Sequence, residues 1–569
     1  MGRRAGIVGA DGVVGAAEAV GYDGSRPAED DDGTVVPLPG WISPVLKHRG
    51  GHDSLGLQTT TQDRLMPELL PGILQLSRRA RYLSFYAFLL STYAQDRRPE
   101  GPHALHQYIR QWEWDYGLAV LHCPRPCGSS PIGARRLDPL VRNGTGPFPR
   151  GLSVKSPQGG YGLNYRAPLI DFGVVVREGT PLGGIPLPLD VLSPAEPAQR
   201  LADTFRAAVR HTAYHRERMW EADFPLEADV LEEFAEAACL CRLDEHRHEA
   251  EREALHAVML GAGAAATTGT GSPTARQRSL SVAHFLSLVE TDPEVVTSVD
   301  AFRQALWEPA TRGRSHAVVA GQWAAVAAKD VWQEALCSLW DGFCATGSSR
   351  GRPLTWQEAR EVAYGLLPPQ SPLSAASRTS ELAAALAAGT VRLTDGHGHE
   401  VAVARASLEE LRQLVRSLRT AGSAVVLFLE LMRRMAGRAG PGWDEASAVG
   451  SRWQPSLARV AAELRAHLAP EPTLGETVWW LLRRFVLDVH ERIAYSKLPE
   501  FTFRFRWEQG LLRFYDLPAG GLSPAGIRAE VLASLTGDLG LWRWPDGPEG
   551  PRPAELTDRG RHFVERVLG

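Results

Sequence analysis

Apolar side chains recur at helical spacing along most of the chain between Pro194 and Ser496. Leu411, Leu414 and Leu418 illustrate the pattern, which gathers apolar side chains on one side of a helix. No fixed repeat length connects these segments, so a regular helical solenoid is not indicated. We predict a mostly α-helical, multidomain protein with middle-region helices at 194–219, 227–259, 278–290, 298–307, 315–345, 355–365, 375–388, 406–437, 444–467 and 473–496.

The composition is that of an ordinary globular protein. Of 569 residues, 44% are hydrophobic and 22% are charged, which excludes wholesale disorder, collagen and coiled-coil rods. No apolar run approaches the ~18 residues that a membrane helix needs. The weakly apolar stretch after Met1 does not indicate a secretory signal. We therefore expect no membrane association.

The cation type and the cysteine content predict a bacterial, cytoplasmic protein. Only four of the 62 basic residues are lysines, and Ala, Gly and Pro are frequent. This bias is typical of a GC-rich bacterial genome. The six cysteines are too sparse to form a disulfide framework in so long a chain, so we expect a reducing compartment.

Shifts in composition divide the chain into four predicted parts. Residues 1–40 are rich in Gly and Asp and are expected to form a disordered tail. Residues 41–190 form a basic N-terminal lobe of helices and an irregular Pro/Gly-rich region. Residues 191–499 form the helical middle region, with a flexible loop near 261–278. Residues 500–569 are predicted to form a β-hairpin followed by a small module of helices and strands.

The N-terminal lobe is unusually basic. Between Trp41 and Gly160, fifteen Lys or Arg residues stand against eight Asp or Glu residues. Such an excess favours contact with nucleic acid or an acidic partner. The alternative is that these arginines cover solvated helix surfaces. The expected anion contacts are Arg78, Arg79, Arg81, Arg135 and Arg136.

The first three of these arginines lie in the first turns of a helix predicted to begin at Leu76. Cations at the N-terminal end of a helix oppose its dipole, so an anion is expected to compensate them. The anion is either an external ligand or an internal carboxylate such as Glu113 or Asp115.

The C-terminal region begins with strong strand alternation. Aromatic residues occupy every second position from Phe501 to Trp507, and Gly510 follows before the run Leu511–Tyr515. This pattern predicts a β-hairpin with one buried face.

The order of elements after the hairpin carries a resemblance. A helix is predicted over 523–539, then a strand over 541–544, a Pro/Gly-rich loop, a second strand at Glu555 and a last helix from Thr557. With the closing motif Leu556-Thr557-Asp558-x-Gly560-Arg561-x-x-x-Glu565, this order resembles the end of a winged-helix domain.

The resemblance implies a module that either grips DNA or docks another protein. DNA binding normally needs an excess of cations to neutralise phosphates. Residues 501–569 contain nine Arg and nine Asp or Glu, so we predict docking of a protein partner rather than DNA reading.

A second resemblance concerns genomic context. Three segments are similar to large helical proteins of bacterial anti-phage or mobile gene clusters: 70–73, 79–86 and 490–499. The resemblance implies membership of a multi-gene system and carries over no catalytic residues.

Catalytic motifs are scarce. None of the four lysines follows a glycine, which excludes a conventional P-loop. His122, Cys123 and Cys127 could hold zinc if their loop folded back, but no second Cys or His pair follows at finger-like spacing. Free thiols in a capped loop are the alternative, and no cofactor is expected.

We therefore predict a non-enzymatic interaction or scaffold subunit of a bacterial multi-gene system for anti-phage defence, which contacts nucleic acid or an acidic partner through its basic N-terminal lobe. One alternative is a DNA-binding transcriptional regulator. The other is an enzyme, a hydrolase or metal-dependent nuclease, whose site is not recognised from the sequence.

Overall fold

The computed structural model is mostly helical, with its β-structure confined to small two-stranded sheets. It describes residues 53–96, 98, 101–125, 128–144, 146–221, 225–261, 272–310, 312–369, 372–498, 501–515, 526–545 and 553–569. The predicted N-terminal tail and most of the predicted loop near 261–278 lie outside these residues.

The helices of the N-terminal part are α1 (Leu57–Thr60), α2 (Met66–Leu69), α3 (Arg81–Gln95), α4 (Pro102–Leu121), α5 (Ala134–Asn143), α6 (Arg166–Asp171), α7 (Glu196–Val209), α8 (Ala213–Arg216), α9 (Ala228–Ala238) and α10 (Glu249–Leu260). They are followed by α11 (Pro273–Thr291), α12 (Val299–Ala305), α13 (Arg314–Ser349), α14 (Trp356–Gly365), α15 (Thr379–Ala387), α16 (Leu408–Leu418), α17 (Ala421–Ala436), α18 (Pro441–Ser447), α19 (Leu457–Leu468), α20 (Leu474–Leu482), α21 (Asp488–Ser496), α22 (Ala529–Asp538) and α23 (Asp558–Leu568).

Each sheet is an antiparallel pair of short strands. The strands are β1 (Val175–Val176), β2 (Pro181–Leu182), β3 (Ile185–Pro186), β4 (Val191–Leu192), β5 (Arg392–Thr394), β6 (Glu400–Ala402), β7 (Phe505–Glu508), β8 (Leu511–Phe514), β9 (Trp542–Arg543) and β10 (Glu555–Leu556). The pairs are β1 with β4, β2 with β3, β5 with β6, β7 with β8, and β9 with β10.

The long helix α13 is the centre of the middle region. Its 36 residues pack against α17 and α18 and bury three large side chains, Trp323, Trp332 and Trp340. A continuous cluster of buried apolar side chains extends from Leu55 to Leu568. The helical prediction for the middle region is confirmed in type. Among the described helices, none combines the length and apolar character needed to cross a membrane.

The helix predicted over 227–259 is wrong as one element. It ends at Ala238, continues as 3₁₀ turns and resumes at Glu249. The reason is a tertiary contact. The Arg81 guanidinium caps the C-terminal end of α9 by donating hydrogen bonds to the carbonyls of Ala237 and Cys239. A cap supplied by so distant a residue leaves no local signal.

The helix predicted over 406–437 is also two helices. Arg419 ends α16 in the left-handed conformation, with φ of 51°. The Thr420 side chain then accepts the backbone N–H of Ser423 and begins α17. The predicted helix over 444–467 is interrupted in the same way, since Ser456 caps a new helix, α19.

The predicted β-hairpin is present. Strands β7 and β8 pair in antiparallel register, with Glu508 opposite Leu511. Gln509 and Gly510 both adopt positive φ values, 51° and 80°, as a tight two-residue hairpin turn requires. Phe505 is buried, whereas Phe501 at the start of the alternating run is 50% exposed, so the buried face is shorter than predicted.

The C-terminal elements follow the predicted order of helix, strand, strand and helix. Thr557 begins α23 by accepting the backbone N–H of Gly560. Helix α23 packs against α11, and α22 lies on the chain segment around α2. There the Arg528 guanidinium donates to the carbonyls of Met66 and Leu70. Its burial lowers the pKa of Arg528 to about 10.

Candidate functional site

Arg81, one of the predicted anion contacts, is fully buried. Its guanidinium forms a 2.9 Å ion pair with Glu251. Burial opposes ionisation of Glu251, but the charge of Arg81 outweighs it and lowers the pKa of Glu251 to about 2. Arg81 therefore has no exposed atoms to which an external anion could bind. Its role is to join α3 to the C-terminal end of α9 and to the first turn of α10.

Arg79 also has an internal partner. Its guanidinium holds both carboxylate oxygens of Asp538, at 3.0 and 2.9 Å, and donates to the carbonyl of Leu240 and the hydroxyl of Ser129. The backbone N–H of Ala80 donates to the same carboxylate at 2.8 Å. These bonds join the C-terminal helix α22 to the start of α3.

The third arginine of this group, Arg78, forms a 2.9 Å ion pair with Glu530, and both side chains are 56% exposed. All three arginines thus meet internal carboxylates. The expected carboxylates were different: Glu113 instead accepts two backbone N–H groups, and Asp115 pairs with Arg150. The partners come from segments far along the chain, which the sequence pattern does not show.

Arg135 and Arg136 lie on the surface in the first turn of α5. Arg136 donates to the carbonyl of Leu152 at 3.0 Å. Neither arginine forms an ion pair with a carboxylate in the described part of the chain. These two residues remain available for the predicted contact with an anion.

Of the predicted zinc ligands, only Cys123 lies in a cluster of possible metal ligands among the described residues. His122 points its Nδ1 at the carbonyl of Leu118 and its ring packs on Phe148, while Cys127 lies outside the described residues. Cys123 instead meets two cysteines from the other end of the N-terminal part, Cys239 and Cys241. The Cys-x-Cys spacing of that pair was the available sequence signal, and its approach to Cys123 depends on the tertiary fold.

A surface with exposed aromatic side chains lies where α21 meets the C-terminal hairpin. Tyr495, Leu498 and Phe501 expose 41%, 44% and 50% of their surfaces. The Arg506 guanidinium lies 5.4 Å from the centre of the Tyr495 ring, and its Nε donates to the Tyr495 hydroxyl. We call this surface the hairpin face: Arg492, Tyr495, Leu498, Phe501, Arg506 and Trp507.

An open groove of about 480 Å³ runs along the hairpin face between α21 and β7. Its lining residues are Arg484, Leu487, Asp488, Glu491, Arg492, Tyr495 and Trp507. Glu491 accepts the backbone N–H of Trp507 and so covers the outer edge of β7. Burial raises the pKa of Glu491. The four charged side chains of this groove all come from one short helical segment, 484–492.

The aromatic surface continues beyond the groove. Trp356, which is 41% exposed, lies 5.3 Å from Trp507 between ring centres. Sequence patterning located the hairpin but missed this surface, because it predicted the aromatic side chains of the alternating run to be buried. The available sequence signal for this surface was Tyr495, an aromatic residue next to the predicted end of a helix at residue 496.

Comparisons with protein-family models, with curated proteins and with solved structures find no match for this chain.

Proposed function

We propose that the protein is a non-enzymatic interaction subunit that docks an acidic segment of a partner protein on the hairpin face. The observation that carries this proposal is that the open groove places Arg492 beside the exposed ring of Tyr495, which also contacts Arg506. This proposal keeps the predicted protein partner of the C-terminal region and assigns the acidic partner, predicted for the N-terminal lobe, to the hairpin face.

The composition of the hairpin face supports a protein partner. Tyr, Trp and Arg are the residues that most often dominate the binding energy of protein interfaces. Exposed aromatic side chains that lie next to one another are costly in water and mark interaction surfaces. Phe501 illustrates this, since it is half exposed although its ring lies 5.0 Å from that of Tyr515.

The charges of the hairpin face favour an acidic segment. Among the described residues, neither Arg492 nor Arg506 forms an ion pair, although the negative charge of Glu508 acts on Arg506. The groove also contains Asp488 and Glu491, so the carboxylates of a partner must lie next to the arginines and away from these two side chains. A peptide can place its carboxylates opposite the two arginines and its apolar side chains on the rings.

The C-terminal helices support docking over DNA reading. We propose that α22, β9, β10 and α23 form the winged-helix-like module. In such a module α22 would be the helix that enters a DNA groove. Here its Ser534 and Asp538 bind the 78–80 segment of the same chain, which occupies that surface. The transcriptional-regulator alternative is therefore disfavoured.

The test is selection of a random peptide library displayed on phage against the full-length protein. We expect enrichment of peptides that combine Asp or Glu with aromatic or aliphatic residues. Binding should weaken with salt and should be lost in the double variant R492E/R506E. Trp544, 47% exposed and outside the hairpin face, provides the matched control variant W544A, which should bind normally.

Two results would overturn the proposal. One is equal peptide binding by wild type and R492E/R506E. The other is binding of single-stranded oligonucleotides that the same double substitution abolishes, which would assign the hairpin face to nucleic acid. Thermal unfolding of each variant confirms that the comparison is between folded proteins.

A further inference from the structure

Three cysteine sulfurs converge at one end of the N-terminal helices. The Sγ atoms of Cys123 and Cys241 are 3.6 Å apart, and those of Cys239 and Cys241 are also 3.6 Å apart. All three sulfurs lie within 4.8 Å of one another. Cys239 is buried, whereas Cys123 and Cys241 are half-buried.

These separations match metal coordination better than a disulfide. A disulfide holds its sulfurs about 2.05 Å apart. A tetrahedral zinc ion with Zn–S bonds of about 2.3 Å holds its sulfurs about 3.8 Å apart. The two Sγ–Sγ distances of 3.6 Å are close to the second value. The three sulfurs can therefore occupy three of the four positions around zinc without a change of fold.

Two of the three sulfurs accept backbone N–H groups, while burial raises the pKa of Cys123 and the hydrogen bond with Cys241 raises the pKa of Cys239. The backbone N–H of Arg125 donates to the Cys123 sulfur, and the backbone N–H of Cys241 donates to the Cys239 sulfur. Such N–H donors orient thiolate ligands and offset their negative charge. The Arg242 guanidinium lies close enough to Cys123 and Cys241 to interact with them electrostatically.

We propose that Cys123, Cys239 and Cys241 bind a zinc ion as three thiolates. On binding, the three thiol protons pass to solvent, because thiolate is the ligating form. The exposed side of Cys123 and Cys241 leaves the fourth position open to water. This assignment is independent of the hairpin face and its partner.

The ion joins distant segments of the chain. Cys123 follows the end of α4, Cys239 ends α9 and Cys241 lies in the turn Leu240–Asp244, so zinc joins segments that are 118 residues apart. The same turn offers the Cys239 carbonyl to Arg81 and the Leu240 carbonyl to Arg79. The ion thus fixes carbonyl acceptors of both Arg79 and Arg81.

The test begins with the metal content of the full-length protein purified without chelator. We expect one zinc ion per chain, and X-ray absorption should find three or more sulfur ligands around it. Titration of the metal-free protein with Co²⁺ should produce thiolate-to-cobalt charge-transfer absorption. The wild-type spectra decide the question even if a variant folds poorly.

Variants then identify the ligands. C123S and C241S should each weaken zinc binding on the order of 100-fold or more. The matched control is C344A, since Cys344 lies in α13 outside the cluster, and it should bind zinc like the wild type. Two or fewer sulfur ligands, zinc binding unchanged in C123S, or a disulfide between Cys123 and Cys241 in the purified protein would each overturn the proposal.

Discussion

Arg79 and Asp538 form a two-pronged ion pair across 459 residues of sequence, with both oxygens of the carboxylate engaged. The pair lies mostly out of water, since the Arg79 side chain is 22% exposed and the Asp538 side chain 11%. It determines how the C-terminal helix α22 is attached to the N-terminal lobe.

Removal of the Asp538 carboxylate is expected to destabilise the protein strongly. D538A leaves the Arg79 guanidinium and the Ala80 N–H without an acceptor in a nearly buried place, at a cost of about 3 kcal/mol in the free energy of unfolding. Urea unfolding measures this loss. E530A on the same helix removes an exposed partner of Arg78 and should cost less than about 1 kcal/mol. Equal losses of unfolding free energy in D538A and E530A would show that the Asp538 carboxylate contributes no more than an exposed carboxylate.

The stability of the protein should fall in mild acid because of His490. The Nδ1–H of its neutral ring donates to the Ser54 carbonyl, and its Nε2 accepts the backbone N–H of Arg504. Burial, followed by the charges of Arg504 and Lys497, lowers the pKa of His490 to about 4. A histidine pKa that is lower in the folded than in the unfolded state stabilises the fold above pH ~6.5. This contribution is lost as the pH falls towards 4.

The expected loss from His490 is about 3 kcal/mol between these two pH values. In H490Q the amide can donate and accept similar bonds but does not titrate, so its unfolding free energy should depend less steeply on pH. Urea unfolding at a series of pH values compares the two proteins. Identical slopes would show that His490 is not the titrating group.

Gly560 in the closing motif is required by close packing. A Cβ at this position would lie 1.9 Å from the backbone oxygen of Leu541, which pairs with Thr557. G560A should therefore destabilise the C-terminal module by about 2 kcal/mol or more. In G365A the added methyl group meets no atom within 4 Å, so this variant should be neutral or gain up to about 1 kcal/mol. Thermal unfolding of both variants checks the contrast.

Substitution of the exposed arginines of α5 tests the predicted contact with nucleic acid. If Arg135 and Arg136 bind phosphates, R135E/R136E should weaken binding of nonspecific duplex DNA and flatten its salt dependence by about two units of log–log slope. Fluorescence anisotropy across a salt series measures both quantities. Negligible DNA binding by the wild type at low salt would contradict this role. The variant R64E, which reverses the charge of another exposed arginine, controls for the change in net charge.

The sequence predicts correctly those elements that residues close to them in the sequence specify. The alternation before Gly510 located the β-hairpin, and Thr557 marked the start of the last helix. The end of α9 was hidden because Arg81 caps it from another part of the chain. For the same reason the arginine partners and the cysteine cluster were missed, since neither residue type nor spacing shows which distant segments meet.

The attachment of α22 to the 66–81 segment has a consequence for synthesis of the protein. Ribosomes deliver the chain from its N-terminus, so Arg79 emerges long before Asp538 and Arg528 exist. During that interval the carbonyls of Met66 and Leu70 lack their final donor. The last hydrogen bonds of the 66–81 segment can therefore form only after the residues of α22 have been synthesised.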